Sequence, residues 1–157
     1  MLRISKLSDY AIIILGHMAK APEETYAATD LAESAGVAGP TVSKVLKALA
    51  RADVLRSTRG AKGGYQLAQA PEATTIASII AALEGPIALT ECGLDEALCE
   101  QASSCHVRAN WSVLNRAIQR SLESITLSDM ASPMSKAPDG FHIPLTRISV
   151  QSRRNTE

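Results

Sequence analysis

Aromatic residues are scarce in this 157-residue chain: Tyr10, Tyr26, Tyr65, Trp111 and Phe141 make up 3% of it. So thin a set excludes the stacked aromatic platforms that hold single-stranded nucleic acid. Net charge is also missing, with sixteen basic residues against sixteen acidic ones, which excludes a generally polybasic binder. The longest apolar run near the start, residues 10–16, is far short of the roughly 20 residues a membrane span needs. No stretch has the pattern of a secretory signal, so a cytoplasmic chain without a membrane partner is expected. Cysteine is limited to three, an odd number with no CxxC pair, which argues against a disulfide scaffold and against a zinc ribbon. No Ser-His-Asp order stands out, and the only glycine cluster lacks the strand-to-helix setting of a nucleotide loop, so an enzyme is not expected. The 46% of apolar residues is enough for a real hydrophobic core.

The zero total conceals a partition. Residues 39–65 hold six basic groups (Lys44, Lys47, Arg51, Arg56, Arg59, Lys62) and one acid, a local charge of +5. Residues 71–102 hold six acids and neither Lys nor Arg, a local charge of −6. A positive stretch this concentrated is the footprint of a polyanion site if the architecture presents it on one face.

The periodicity supplies such an architecture. Leu7, Tyr10, Ala11, Ile14, Leu15 and Met18 recur with a helix period, with Ser5 or Ser8 as cap and Ala21-Pro22 as stop. Thr29 is expected to cap a short helix over 30–35, which Gly36 to Gly39 interrupts. Pro40 then suits the first position of a helix over 40–52. There Val42, Val45, Leu46 and Leu49 face inward and Thr41, Ser43, Lys44, Lys47 and Arg51 face outward. A short helix, a glycine-containing turn and a second helix with a basic outer face read as helix-turn-helix. Residues 54–58 and 65–67 read as two strands flanking the glycine-rich turn 59–64, a wing whose backbone can approach phosphate closely. A further helix is expected over 75–84, a loop over 87–104 and a long helix over 105–128. Val107, Trp111, Leu114, Ile118, Leu122 and Ile125 lie close to a heptad seam on that helix. At roughly 35 Å it exceeds what a small winged-helix unit needs for its own core, so a homodimer is expected. The fold expected is therefore mainly α with a small β-hairpin: a winged helix-turn-helix domain (1–70), a linker helix, cysteine loop and dimerisation helix (71–128), and a disordered tail (129–157).

Duplex DNA is the partner this architecture expects. Thr41, Ser43 and Lys44 lie near the start of the second helix, placed for base edges, and Lys47 and Arg51 for phosphate. Arg56, Arg59, Lys62 and Gly63 place the wing against the backbone or minor groove. Cys92, Cys99 and Cys105 crowd into fourteen residues. Outside any helical or strand period, they point to a metal centre rather than to buried thiols. Their spacing allows a loop around a larger object such as an iron–sulfur cluster, with His106 as one candidate fourth ligand. A zinc-stabilised winged-helix module without sensing is the competing reading.

The opening Met1-Leu-Arg-Ile-Ser-Lys-Leu-Ser-Asp-Tyr-Ala, Asp30-Leu-Ala-Glu, the wing Leu55-Arg-Ser-Thr-Arg-Gly-Ala-Lys-Gly-Gly-Tyr-Gln-Leu and the three-cysteine loop resemble the iron–sulfur winged-helix regulators typified by IscR and NsrR, over about residues 1–128. Ser5-Lys-Leu-Ser-Asp-Tyr is similar to the subgroup that regulates the Suf cluster-assembly operon. The resemblance implies a homodimer on a pseudo-palindromic operator, with a 2Fe–2S or 4Fe–4S cluster held by Cys92, Cys99 and Cys105 in each subunit. It also implies control of cluster-assembly genes or, in a nitric-oxide-responsive member, a different signal. Arg108 stands where IscR-like members have a ligating histidine, leaving His106 nearby. Asp9 matches the aspartate by which NsrR-like members reach the partner's cluster, and is put ahead of His106. Ser43 replaces an acidic recognition-helix residue of IscR-like members, so their operator preference does not transfer.

Overall fold

The computed structural model describes residues 3–60, 63–95, 99–101 and 104–132. Lys62 of the expected wing and the tail from residue 133 onward lie outside this set. Ser5 caps α1 (Lys6–Met18), its hydroxyl oxygen accepting the Ser8 N–H at 3.2 Å. The stripe Ala11, Ile14, Leu15 and Met18 is fully buried. Helix α2 (Ala28–Ala35) starts two residues earlier than expected. Thr29 does not cap it: it lies inside the first turn, its hydroxyl bonded to Asp30 Oδ1 at 3.1 Å, and Ala27 takes the capping position without a side-chain bond. Gly36 closes α2 in the left-handed region at φ 64°, a conformation glycine adopts without strain. Helix α3 (Gly39–Arg51) follows, with Pro40 in its first turn, where a missing N–H leaves no bond unmade. Val42, Val45, Leu46 and Leu49 are buried as their spacing requires, each contributing roughly 1.5–3 kcal/mol of burial.

Strands β1 (Leu55–Thr58) and β2 (Gly64–Leu67) form an antiparallel hairpin, Leu55 opposite Leu67 and Thr58 opposite Gly64. Tyr26, in the α1–α2 connection, exchanges both backbone hydrogen bonds with Tyr65 at 2.8 and 2.9 Å, anchoring the hairpin to the body. Gly64 is needed there, because a Cβ would collide with the Tyr26 carbonyl.

A 3-10 turn (Pro71–Ala73) leads to α4 (Ile76–Glu84), then α5 (Glu91–Leu94), α6 (Arg108–Glu123) and α7 (Leu127–Ala131). The region expected to be loop over 87–104 thus carries a short helix. The helix expected over 105–128 is shorter, 16 residues or about 24 Å. It stops because the chain pairs with 74–76: Ile76 N–H donates to Ile125 O at 2.9 Å and Leu127 N–H to Thr74 O at 2.8 Å. Thr126 and Asp129 then form a capping box that restarts the chain as α7, which runs past residue 128, where the tail was expected to begin. Leu127 is fully buried, and α7 packs on α1 and on the 3-10 turn. Ile76, Ile79, Ile80 and Leu127 join the same core as α1–α3, so one core spans the boundary drawn at residue 70. Among the described residues no helix is long and apolar enough to cross a membrane.

Candidate nucleic-acid interface and cysteine segment

Burying Val42, Val45, Leu46 and Leu49 fixes the rotation of α3 and turns its opposite face outward. Lys44, Lys47 and Arg51 are exposed there, three and four residues apart and therefore aligned along the helix. Thr41 and Ser43 are half-buried near its N-terminus. Arg56 and Arg59 are exposed on β1 and in the turn beyond it. Gly60, at φ 115°, and Gly63 close that turn through a 2.9 Å backbone bond, and a Cβ on Gly63 would strike the Thr58 carbonyl. Asp53, the one acid of residues 39–65, turns the chain from α3 into β1 at φ 56°. Five exposed cations thus line the outer surface of a helix and hairpin, with Lys62 outside the described residues.

The cysteines occupy the other end of the chain's topology. Cys92 lies in α5, its sulfur 3.3 Å from the Thr90 hydroxyl; the expectation that all three stand outside regular structure holds for Cys99 and Cys105 only. All three thiols are half-buried and none is disulfide-bonded. His106 is exposed and precedes α6 instead of lying in its first turn. Asp9 is exposed in the first turn of α1. Among the described residues no three His, Cys, Asp or Glu side chains are gathered closely enough to hold a metal ion. Sequence proximity therefore places the three thiols on one segment without converging them. The donor type nevertheless suits an iron–sulfur cluster: three soft sulfur ligands, none tied up in a disulfide.

Two long-range contacts carry no signal in the sequence pattern: one ties the end of α4 to the start of α1, and the other holds the cysteine segment to α6. Glu84, the last residue of α4, accepts hydrogen bonds from the Ser8 hydroxyl and, at 3.1 Å, from the Ser5 N–H. The Ser8 bond holds the Glu84 carboxyl below the usual carboxylate range, against an opposing contribution from burial. Asn115 of α6 is buried and its Oδ1 accepts the Leu89 N–H at 2.9 Å. Polar residues on long sequence separations carry no periodic signal; only a buried-face position for Asn115 on α6 could have hinted at it. Helix α6 packs on α4 and α5, and α4 packs on α1 and α3, a continuous run of contacts from the cysteine segment to the basic helix.

A helix-turn-helix followed by a hairpin, with cations along both, defines a winged-helix DNA-binding protein. A family model, Rrf2, described as an iron-dependent transcriptional regulator, matches residues 4–133. The chain belongs to the Rrf2 family and is a transcriptional regulator, not an enzyme. Protein rrf2 of Nitratidesulfovibrio vulgaris is 31% identical over 116 residues, covering 74% of this chain and 77% of that one. The HTH-type transcriptional regulator CymR of Bacillus subtilis is 33% identical over 132 residues, covering 83% and 91%. The solved structure of CymR, described as the global cysteine regulator of B. subtilis, superposes with a TM-score of 0.64 at 32% identity, covering 83% of this chain and 97% of that one. That of T. potens IscR gives 0.62 at 26% identity, covering 87% and 93%.

Proposed function

We propose that this regulator binds duplex DNA as a homodimer and that an iron–sulfur cluster held by Cys92, Cys99 and Cys105 sets its affinity, in the control of cluster-assembly genes. The observation that supports the reading is the placement of all three thiols on one acidic segment, whose helix α5 packs on α6, which packs on α4 and so reaches the basic helix α3. When bound, the cluster supplies a centre whose charge and ligation change with oxidation. Closing a site around it takes a rearrangement of the segment and a donor from elsewhere, Asp9 of a second copy ahead of His106.

The chain's own residues carry the rest. Thr41, Ser43 and Lys44 face base edges, Lys47 and Arg51 face phosphates, and Arg56, Arg59, Lys62 and Gly63 bring the wing to the backbone. Val107, Trp111, Val113 and Leu114 are large apolar side chains left 38–51% exposed around the first half of α6, which supports a second copy packing there. Two half-sites must lie about one helical turn apart, near 34 Å, so a small change in the spacing of two α3 helices alters affinity. Any ligand acts by favouring one of two arrangements.

The test is anaerobic purification with visible spectroscopy and iron and sulfide quantification, for the native chain and for Cys92→Ala, Cys99→Ala and Cys105→Ala. A brown native protein and three pale variants are expected. Colourless protein carrying zinc, or colour retained in all three variants, overturns the reading. Asp9→Ala and His106→Ala in the same assay decide between the two fourth donors.

A further inference from the structure

Asn115 is the one buried residue of α6, 8% exposed on a helix whose other side chains are exposed or half-buried. Its amide reaches across 26 residues to accept the Leu89 N–H at 2.9 Å. This bond also fixes the amide's orientation, since the flipped form would set two donors against each other. Its Nδ2 is buried and has no hydrogen-bond partner among the described residues. A Cβ on Gly93 would collide with that same Nδ2. The side chain therefore touches the cysteine segment on both sides of Cys92: the backbone three residues before it and the glycine immediately after it. A buried donor left unpaired is disfavoured, and an apolar side chain would fill this position without that cost. Packing alone does not account for an amide here.

We infer that Asn115 is the positioning residue that fixes Cys92 against α6 and thereby couples the cysteine segment to the helix that packs on α4. The inference rests on the proposed sensing role of the cysteines for its purpose. Oδ1 holds the chain entering α5, and the absent side chain of Gly93 lets the amide lie directly against the turn bearing Cys92. Asn115 and Gly93 act as a unit: either substitution releases the same contact. Movement of Cys92 on taking up or losing a ligand is then transmitted to α6 at this point, ahead of the apolar surface formed by Trp111 and Leu114.

The experiment measures alkylation of Cys92 by iodoacetamide, followed by peptide mass spectrometry, in metal-free native protein, Asn115→Ala, Gly93→Ala and the double variant. Amide exchange at Leu89 is read in parallel. Each single variant is expected to raise the Cys92 rate about three- to tenfold, the factor that one net hydrogen bond supplies, and to deprotect Leu89, with Cys105 unchanged. The double variant is expected to match the singles, because alanine at 93 fits once the amide is gone. Multiplying effects, an unchanged Cys92 rate, or equal acceleration at Cys105 overturn the inference. Asn115→Ser serves the same test if Asn115→Ala does not fold. Iron release to a chelator is measured on anaerobically reconstituted protein. Faster release from Asn115→Ala is expected, and release at the native rate also overturns the inference. A native chain that takes up no iron refutes the sensing role, and the metal-free alkylation still decides the positioning role.

Discussion

Replacing Lys47 and Arg51 with glutamine gives a prediction whose size follows from the structure. Both side chains are exposed on α3, four residues apart, and neither belongs to the buried stripe of Val42, Val45, Leu46 and Leu49. If each neutralises one phosphate, a dimer loses four such contacts. Each contact contributes about 0.9 to the slope of log K against log salt on B-form DNA, so the slope becomes shallower by about 3.6. Between 50 and 200 mM salt the native protein's affinity then falls by a factor about 150 greater than the variant's. A monomeric binder would show half the change in slope, about 1.8. The assay is fluorescence anisotropy on a mixed-sequence 30-base-pair duplex at five potassium chloride concentrations, which needs no knowledge of the operator. Arg116→Gln with Arg120→Gln, two exposed cations of α6, is the control and should leave the slope unchanged. An unchanged slope in the α3 variant, or an equal change in the control, would refute the placement of α3 on DNA. Melting temperature should be unaffected in both, as expected of surface substitutions.

Leu127→Ala, which opens a cavity under α1, should cost about 2–5 kcal/mol in urea or thermal unfolding; a cost near zero would show that α7 does not close the core. Glu84→Gln should lower stability at neutral pH, and because the Ser8 bond depresses the Glu84 pKa, the difference should vanish as pH falls through that lowered value. A gap that widens on acidification, followed by thermal melts from pH 7 to pH 3, would contradict the assigned bond. Leu114→Glu, at a position 42% exposed, should convert a dimer to a monomer in sedimentation velocity with little change in helix content; a dimer that persists would exclude this part of α6 from the interface.

Apolar periodicity made the helix-turn-helix and hairpin half of the molecule legible. The stripes of α1 and α3, the turn at Gly36–Gly39 and the glycine-rich hairpin all follow from local patterns that the core then enforces. The core that spans residue 70 was not legible in the same way, because the contacts that build it are made by residues far apart in sequence. Ile125 continued the heptad spacing of Val107 to Leu122, so the break after Glu123 was hidden. The spacing Thr126-Leu-Ser-Asp129 is nevertheless a capping-box signature that marks a new helix start. Thr29 looked like a cap by residue type, yet α2 begins at Ala28 without one. In the cysteine segment, composition revealed the thiols, whereas the contacts of Asn115 with Leu89 and Gly93, and that of Glu84 with Ser8 between α4 and α1, depend on pairings that no period encodes.

The most direct test of the central claim is the affinity of one anaerobic preparation for its own promoter duplex, measured before and after removal of iron by a chelator. Iron and sulfide are counted on each sample. Bound iron and sulfide are expected at the start, with a change in affinity of at least tenfold when they are removed, on the order of 1.4 kcal/mol of coupling. Protein that contains no iron when first isolated and binds with the same strength throughout would contradict the claim.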